Sequence, residues 1–205
     1  RGDYVLALSR DAVPRLFLGM VMQPEDKEFD HSSLKLCISG GAAMPTEFFP
    51  RFEARFGIKI REGYGLTEAS PVCAFTRPAG LHKPGSVGPV VPEVEARVVD
   101  DAGRDLPTGS IGELLIRGSN VMQGYYHDAA ATAAVIRAGW LYTGDLARID
   151  EDGYIFLTGL KKRMIITSGF NVYPREVEIV LNLHPAVQAS LAVGKPNLLR
   201  GEVVK

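Results

Sequence analysis

Apolar and polar positions change texture twice along the chain, and the changes mark three stretches. From about residue 13 to 76, helix-like and strand-like runs alternate. Residues 33–39 (SLKLCIS) read as a short buried strand. Residues 45–56 read as a helix, with Pro45 near its start and Phe48, Phe49, Phe52 and Phe56 recurring on one face. Gly57 stops this helix, and residues 58–60 begin another strand. Alternation of this kind predicts an α/β layer. From about residue 84 to 158, strands are predicted at 94–99, 111–117, 140–149 and 154–157. Turn signals such as Asp101-Ala102-Gly103, Pro107-Thr108-Gly109 and Asp150-Glu151-Asp152-Gly153 separate them. One helix interrupts, with Asp128 as N-cap of an alanine-rich run to Ile136. The pattern predicts a small distorted barrel. From about residue 163, a strand at 164–167, a helix at 174–183 opening on Pro174 with Glu176 and Glu178 near its positive end, and a strand at 187–193 are expected. This last stretch sits close to the ~40-residue lower limit for independent folding.

The expected organisation is an α/β portion over 1–83, a barrel-like subdomain over 84–161 and the opening of a further domain over 162–205. A length of 205 residues exceeds one average domain of ~150 and falls short of two. The chain begins at Arg1 rather than Met, and a piece of something longer is expected.

Composition narrows the function. Hydrophobic residues make up 46% and charged residues 23%, enough apolar material for a core. With 23 basic and 24 acidic residues the net charge is -1, so no cationic excess exists to bind a nucleic-acid backbone. The 2 cysteines, Cys37 and Cys73, form no disulfide framework or zinc cluster, and the 4 histidines are scattered. No apolar run approaches the ~20 residues that span a bilayer, and no signal peptide is seen. A reducing, cytoplasmic setting is expected.

Four stretches carry candidate chemistry. Ser39-Gly40-Gly41-Ala42-Ala43 follows a strand; its small residues let a ligand approach the backbone, or simply make a tight turn. Gly63-Tyr64-Gly65-Leu66-Thr67-Glu68 also follows a strand. There an exposed ring on a bendable loop suits stacking on a planar group. Thr67 offers a hydroxyl and Glu68 a hard oxygen for Mg²⁺; the plainer alternative is a loop in which Thr67 caps a short helix. Both loops would lie at the carboxyl ends of neighbouring strands, where α/β sheets bind ligands. In Trp140-Leu141-Tyr142-Thr143-Gly144-Asp145, the carboxylate can accept two hydrogen bonds from a vicinal diol, or be a turn aspartate. Lys161-Lys162-Arg163 reads as a hinge or a solvated linker.

Taken together, SGGAA (39–43), GYGLTE (63–68), GWLYTGD (139–145), DGYIFLTG (152–159) and SGFNVYPREVE (168–178) resemble, in order and spacing, the adenylate-forming superfamily, in its acyl-CoA synthetase branch. The resemblance implies an α/β fold: the C-proximal part of that family's large domain, an α/β sheet layer plus distorted β-barrel, followed by the start of its small α+β C-terminal domain. It implies ATP-dependent activation of a fatty or aryl carboxylic acid to acyl-AMP, then transfer to the thiol of coenzyme A. By position, Tyr64 would stack on adenine between Gly63 and Gly65, and Ala42 would line the adenine pocket. Gly40 and Gly41 would border the acyl group. Thr67 would hold phosphate oxygens, Glu68 would bind Mg²⁺ and Asp145 would grip the ribose of ATP or AMP. Lys162 would be the hinge and Gly169 would line the coenzyme A tunnel. An acyl-AMP ligase serving a carrier protein, and a non-catalytic nucleotide-binding relic, are the competing expectations.

The pattern also departs from the family. Leu160 stands where the family usually has an Arg that contacts ribose, and weaker ATP binding is expected. Glu62 stands where Gln is usual. The family's phosphate-binding Gly-rich loop would precede Arg1 and its catalytic lysine would follow Lys205, so this chain alone is expected to release essentially no pyrophosphate from ATP.

Overall fold

A computed structural model describes residues 4–7, 13–24, 34–41, 44, 48–197 and 199–205. The first layer is a four-stranded sheet in the order β1 (Tyr4–Ala7), β2 (Leu34–Ser39), β3 (Ile60–Gly65), β4 (Val72–Phe75). The first three strands are parallel and β4 is antiparallel to β3. Helices α1 (Val13–Val21) and α2 (Phe48–Phe56) pack beside it. The aromatic row of α2 and the single Phe17 of α1 explain why. Phe17 and Phe52 meet edge-to-face at 5.3 Å, and they join Cys37, Met44, Phe48, Phe49 and Ile60 in one buried cluster. Gly57 closes α2 with φ +68 and a bond from its N–H to the Glu53 carbonyl, as a left-handed C-terminal stop requires. Pro45 lies outside the described residues.

The second layer is a five-stranded antiparallel sheet built from β5 (Val94–Val99), β6 (Gly112–Gly118), β7 (Ile136–Arg137), β8 (Trp140–Ile149) and β9 (Ile155–Leu160), with α3 (Ala129–Val135) before β7. Asp128 caps α3, its carboxylate accepting from the Ala131 N–H at 2.8 Å. Alternation sorts the faces. Val94, Val98, Leu114, Ile116, Leu141 and Ala147 point into the core. On the opposite face the Trp140 ring lies between the guanidiniums of Arg97 and Arg117, at 4.4 and 4.5 Å. Tyr64, Ala69, Cys73 and Ala74 of the first layer enter the same core, so the two layers share it.

A third sheet, β11 (Phe170–Val172), β10 (Ile165–Thr167), β13 (Gly201–Val204) and β12 (Gly194–Asn197), carries α4 (Pro174–Asn182). The strand expected at 187–193 is not there. That segment is tied to α4 instead: Ser190 Oγ reaches the Glu178 carbonyl and Asn182 Oδ1, and the Ala192 N–H donates to Glu178 Oε1. Backbone pairing begins at its last residue, where Val193 exchanges hydrogen bonds with Lys205 at 3.0 and 2.9 Å, and the strand itself starts at Gly194.

A candidate nucleotide site

The carboxyl end of β2 lies beside the middle of β3, with Ser39 paired to Glu62, and β3 runs on to Gly65. Gly40 follows, so close to β3 that a Cβ there would meet the Gly63 carbonyl oxygen at 3.4 Å. Gly41 adopts φ +80, and Ala42 lies outside the described residues. The exposed-loop expectation for Tyr64 is overturned. Gly63, Tyr64 and Gly65 belong to β3, which runs on to pair with β4, and Tyr64 is only 8% exposed. Gly65 is obligatory, because a Cβ there would lie 1.8 Å from the Pro71 carbonyl oxygen. That close approach turns the chain into a 3₁₀ turn, Thr67–Ala69. Leu66 rather than Thr67 is its N-cap, so the capping role does not apply; Thr67 is exposed at the turn's start.

Asp145 is no turn residue either. It sits within β8 at a wide bulge. Between the pairs Leu115–Tyr142 and Glu113–Leu146, β6 contributes Leu114 alone, whereas β8 contributes Thr143, Gly144 and Asp145. Bulges re-aim side chains, and this one leaves ladder groups in need of partners. Side chains supply them. Thr143 Oγ1 donates to the Leu114 carbonyl at 2.7 Å and accepts the Asp145 N–H at 3.1 Å. Glu113 Oε1 accepts the Gly144 N–H at 3.2 Å. Gly144 adopts φ +72, which a glycine takes without strain.

The bulge brings Asp145 to Tyr64, whose hydroxyl donates to Oδ2 at 2.6 Å. Oδ1 therefore stays wholly free for a diol, while Oδ2 is shared with Tyr64. Burial raises the Asp145 pKa, the Tyr64 bond opposes the rise, and the nearby Glu113 and Glu68 carboxylates add to it. Burial and the adjoining Asp145 carboxylate push the Tyr64 phenol well above its ordinary value, so it remains a donor. Glu68 is held from the other side: Tyr125 donates its hydroxyl to Oε1 at 2.9 Å, and the Met122 N–H donates to the Glu68 carbonyl. Among the described residues no group of three or more His, Cys, Asp or Glu gathers as a metal site. One half-buried carboxylate suits Mg²⁺ that arrives with phosphates, because that ion keeps few protein ligands.

Thr143, Gly144, Leu160, Lys161 and Lys162 line a cleft of about 380 Å³ beside the bulge. Leu160 pairs with Asp145 across β8 and β9 and is 36% exposed, so the departure from Arg falls at the rim of the site. The basic run is not a freely solvated linker. It forms a 3₁₀ turn in which Lys161 pairs with Glu113 at 2.8 Å and Asp101 at 3.0 Å, while Lys162 is exposed. Gly169 turns the β10–β11 hairpin with φ +83 and has no hydrogen bond to Tyr64, Glu68 or Asp145. Burial pushes Cys73 up to about 11, so this thiol stays protonated.

Sequence reasoning missed Glu113 and Tyr125, and gave Thr143 and Lys161, which lie in stretches it singled out, no contact of their own. Glu113 left one signal: an acid in the otherwise apolar run Gly112–Ile116.

The family described as AMP-binding enzyme matches residues 11–126. A long-chain-fatty-acid–CoA ligase of Bacillus subtilis is 42% identical over 193 residues, covering 94% of this chain and 34% of the relative. An indoleacetate–CoA ligase of Aromatoleum aromaticum is 38% identical, covering 94% of this chain and 38% of the relative. The chain thus spans about a third of these relatives' length. Among solved structures, ATP-bound MatB from Rhodopseudomonas palustris superposes with TM-score 0.88 at 36% identity, over 93% of this chain and 38% of MatB. The anthranilate CoA ligase AuaEII in complex with anthranoyl-AMP superposes with TM-score 0.82 at 33% identity, over 94% of this chain and 37% of that one. With a matched stretch covering more than half of its residues, this chain belongs to the AMP-binding enzyme family.

Proposed function

We propose that the protein to which this chain belongs is an ATP-dependent, AMP-forming acid–thiol ligase that joins a fatty or aryl carboxylic acid to coenzyme A. One observation carries the reading: Tyr64 and Asp145, from motifs 81 residues apart, meet through a 2.6 Å hydrogen bond at the carboxyl end of β3. Tyr64 then offers a ring, flanked by Gly63 and Gly65, against adenine, and Asp145 offers Oδ1 to the ribose hydroxyls. The family resemblance assigns Ala42 to the adenine wall. Gly40 and Gly41, without side chains, leave room for the acyl group. Thr67 donates to phosphate oxygens and Glu68 holds Mg²⁺, which supplies positive charge to the phosphates. A carboxylate oxygen attacks the α-phosphorus and pyrophosphate departs with the bridging oxygen. The thiol then attacks the acyl carbon and AMP leaves. These residues chiefly position groups and neutralise charge. Lys162 is the pivot of a movement between the two steps, and Gly169 meets the thiol's arm after it. A cytoplasmic setting, peripheral to a membrane for a long-chain acid, fits this chemistry; among the described residues no helix is long and apolar enough to cross a bilayer.

The full-length protein, given ATP, Mg²⁺, coenzyme A and a panel of fatty and aryl acids, is expected to release AMP and an acyl-CoA thioester. Acyl-AMP that accumulates and transfers only to a carrier protein's phosphopantetheine would replace coenzyme A as acceptor. Absence of any turnover favours the relic reading, which Leu160 supports. Leu160→Arg separates the two. Adding a cationic donor at the rim is expected to tighten ATP by about tenfold in a calorimetric titration, and an unchanged affinity removes Leu160 as the reason for weak binding.

A further inference from the structure

We infer that Glu113 is a positioning residue that ties the geometry of the nucleotide site to the joint ahead of the third sheet. The inference rests on the proposed roles of Asp145 and Lys162. Glu113 is only 8% exposed, yet neither carboxylate oxygen is idle. Oε1 accepts the Gly144 N–H at 3.2 Å, and Oε2 accepts the Lys161 ammonium at 2.8 Å. Gly144 immediately precedes Asp145 on the bulge, and Lys161 immediately precedes Lys162 in the 3₁₀ turn. One side chain therefore holds the backbone of the diol-binding aspartate and the root of the pivot together.

The two holds are chemically different. Gly144 needs only an acceptor, and a neutral amide oxygen meets that need. Lys161 needs a negative partner, because its ammonium is drawn partly out of water and Asp101, its second partner at 3.0 Å, is 77% exposed. The bond to Lys161, charged on both sides and part-buried, is the one that depends on the carboxylate's charge. Movement at Lys162 that displaces Lys161 would leave the Glu113 carboxylate buried without its cation, which is unfavourable. The tie thus favours the joint as found here and yields only when something else compensates. Displacing Glu113 in turn releases Gly144 and with it the aim of Asp145.

The test uses the full-length protein, with 5′-AMP as probe and amide exchange read at Gly144 and at Met164, whose N–H donates to the Lys161 carbonyl at 3.2 Å. Glu113→Gln is expected to keep Gly144 protected and AMP affinity within about twofold, while Met164 exchanges about tenfold faster. Lys161→Met should reproduce only the Met164 change. Glu113→Ala should lose both protections and weaken AMP about tenfold. This split distinguishes positioning from general support, which would move all readouts together. Unchanged Met164 exchange in both Glu113→Gln and Lys161→Met overturns the tie to the joint. Unchanged AMP affinity in a folded Glu113→Ala overturns the tie to the site. If Glu113→Ala does not fold, the other two variants decide. Failure of the unaltered protein to bind AMP counts against the nucleotide reading itself, and the exchange pattern still decides whether one carboxylate holds both segments.

Discussion

Asp145→Asn is expected to weaken 5′-AMP binding about 100-fold in a calorimetric titration, roughly 3 kcal/mol for hydrogen bonds to a charged acceptor. The reasoning follows from how few acceptor sites remain. Tyr64 already donates to Oδ2 at 2.6 Å, from a side chain only 8% exposed. In asparagine the single carbonyl oxygen goes to that hydroxyl, because a buried phenol without a partner costs about 1–3 kcal/mol. The amide nitrogen then faces the ribose, where an acceptor is needed. The fold survives, since Tyr64 keeps its partner. Tyr64→Phe is the counterpart: it removes the donor, frees Oδ2 and keeps the ring. AMP affinity should then stay within a few-fold. Wild-type affinity in Asp145→Asn would remove the aspartate from the site.

Glu62→Gln is expected to stabilise the chain by about 3 kcal/mol at pH 8 and to leave it nearly unchanged at pH 4, measured by urea unfolding at both values. Burial raises the Glu62 carboxyl from 4.5 to about 7, against the pull of hydrogen bonds from the Gly85 and Met44 N–H groups and of the Arg175 charge. A folded pKa above the unfolded one means the native state holds a proton that the unfolded chain has released. Stability from this group is therefore full below pH 4.5, falls as pH rises to about 7, and is flat beyond. Glutamine stays neutral throughout, and its oxygen can still accept the Gly85 N–H, which reaches Glu62 Oε2 at 3.1 Å. Stability curves of the two proteins that run parallel across this range would refute a buried, proton-holding Glu62. A glutamine variant less stable at pH 8 would instead make the charge opposite Arg175 the dominant effect. Either way Glu62, which the sequence left uninterpreted, acquires a place: it is buried within β3, accepts the Gly85 N–H and feels the charge of Arg175 of α4.

Much of the fold was legible because the local signals were strong and agreed with one another. Phe48, Phe49 and Phe52 share a helix face only at helical spacing, and Asp128 before an alanine run has one economical use. The bounds of β5 and β8 follow from apolar runs closed by Gly and Asp turns. The failures are instructive. GYG looks like a loop because glycine is rare inside strands. Here it permits β3 to press against β4 and the Pro71 turn. The segment 187–193 has the composition of a strand, but strand formation needs a neighbour with free ladder groups; only Val193 finds one, in Lys205, and α4 holds Ser190 and Ala192.

The residues of the candidate site were readable as types: small residues for a close backbone, a hydroxyl and a carboxylate for metal-bridged phosphate, an acid for a diol. Chemistry of that kind lies in side-chain functional groups, which any reading of the chain reveals. Their company was not readable. Nothing near Tyr64 along the chain announces Asp145, and nothing near Lys161 announces Glu113, because these contacts join strands far apart in order but adjacent in the shared core. A two-residue excess on β8 aims the aspartate, and a buried carboxylate on β6 satisfies the amide that the excess exposes. The order of residues set which groups were available. Only the packed sheets set which hydrogen bonds each could still make, because a bond to a distant strand exists only once the core has brought the two together.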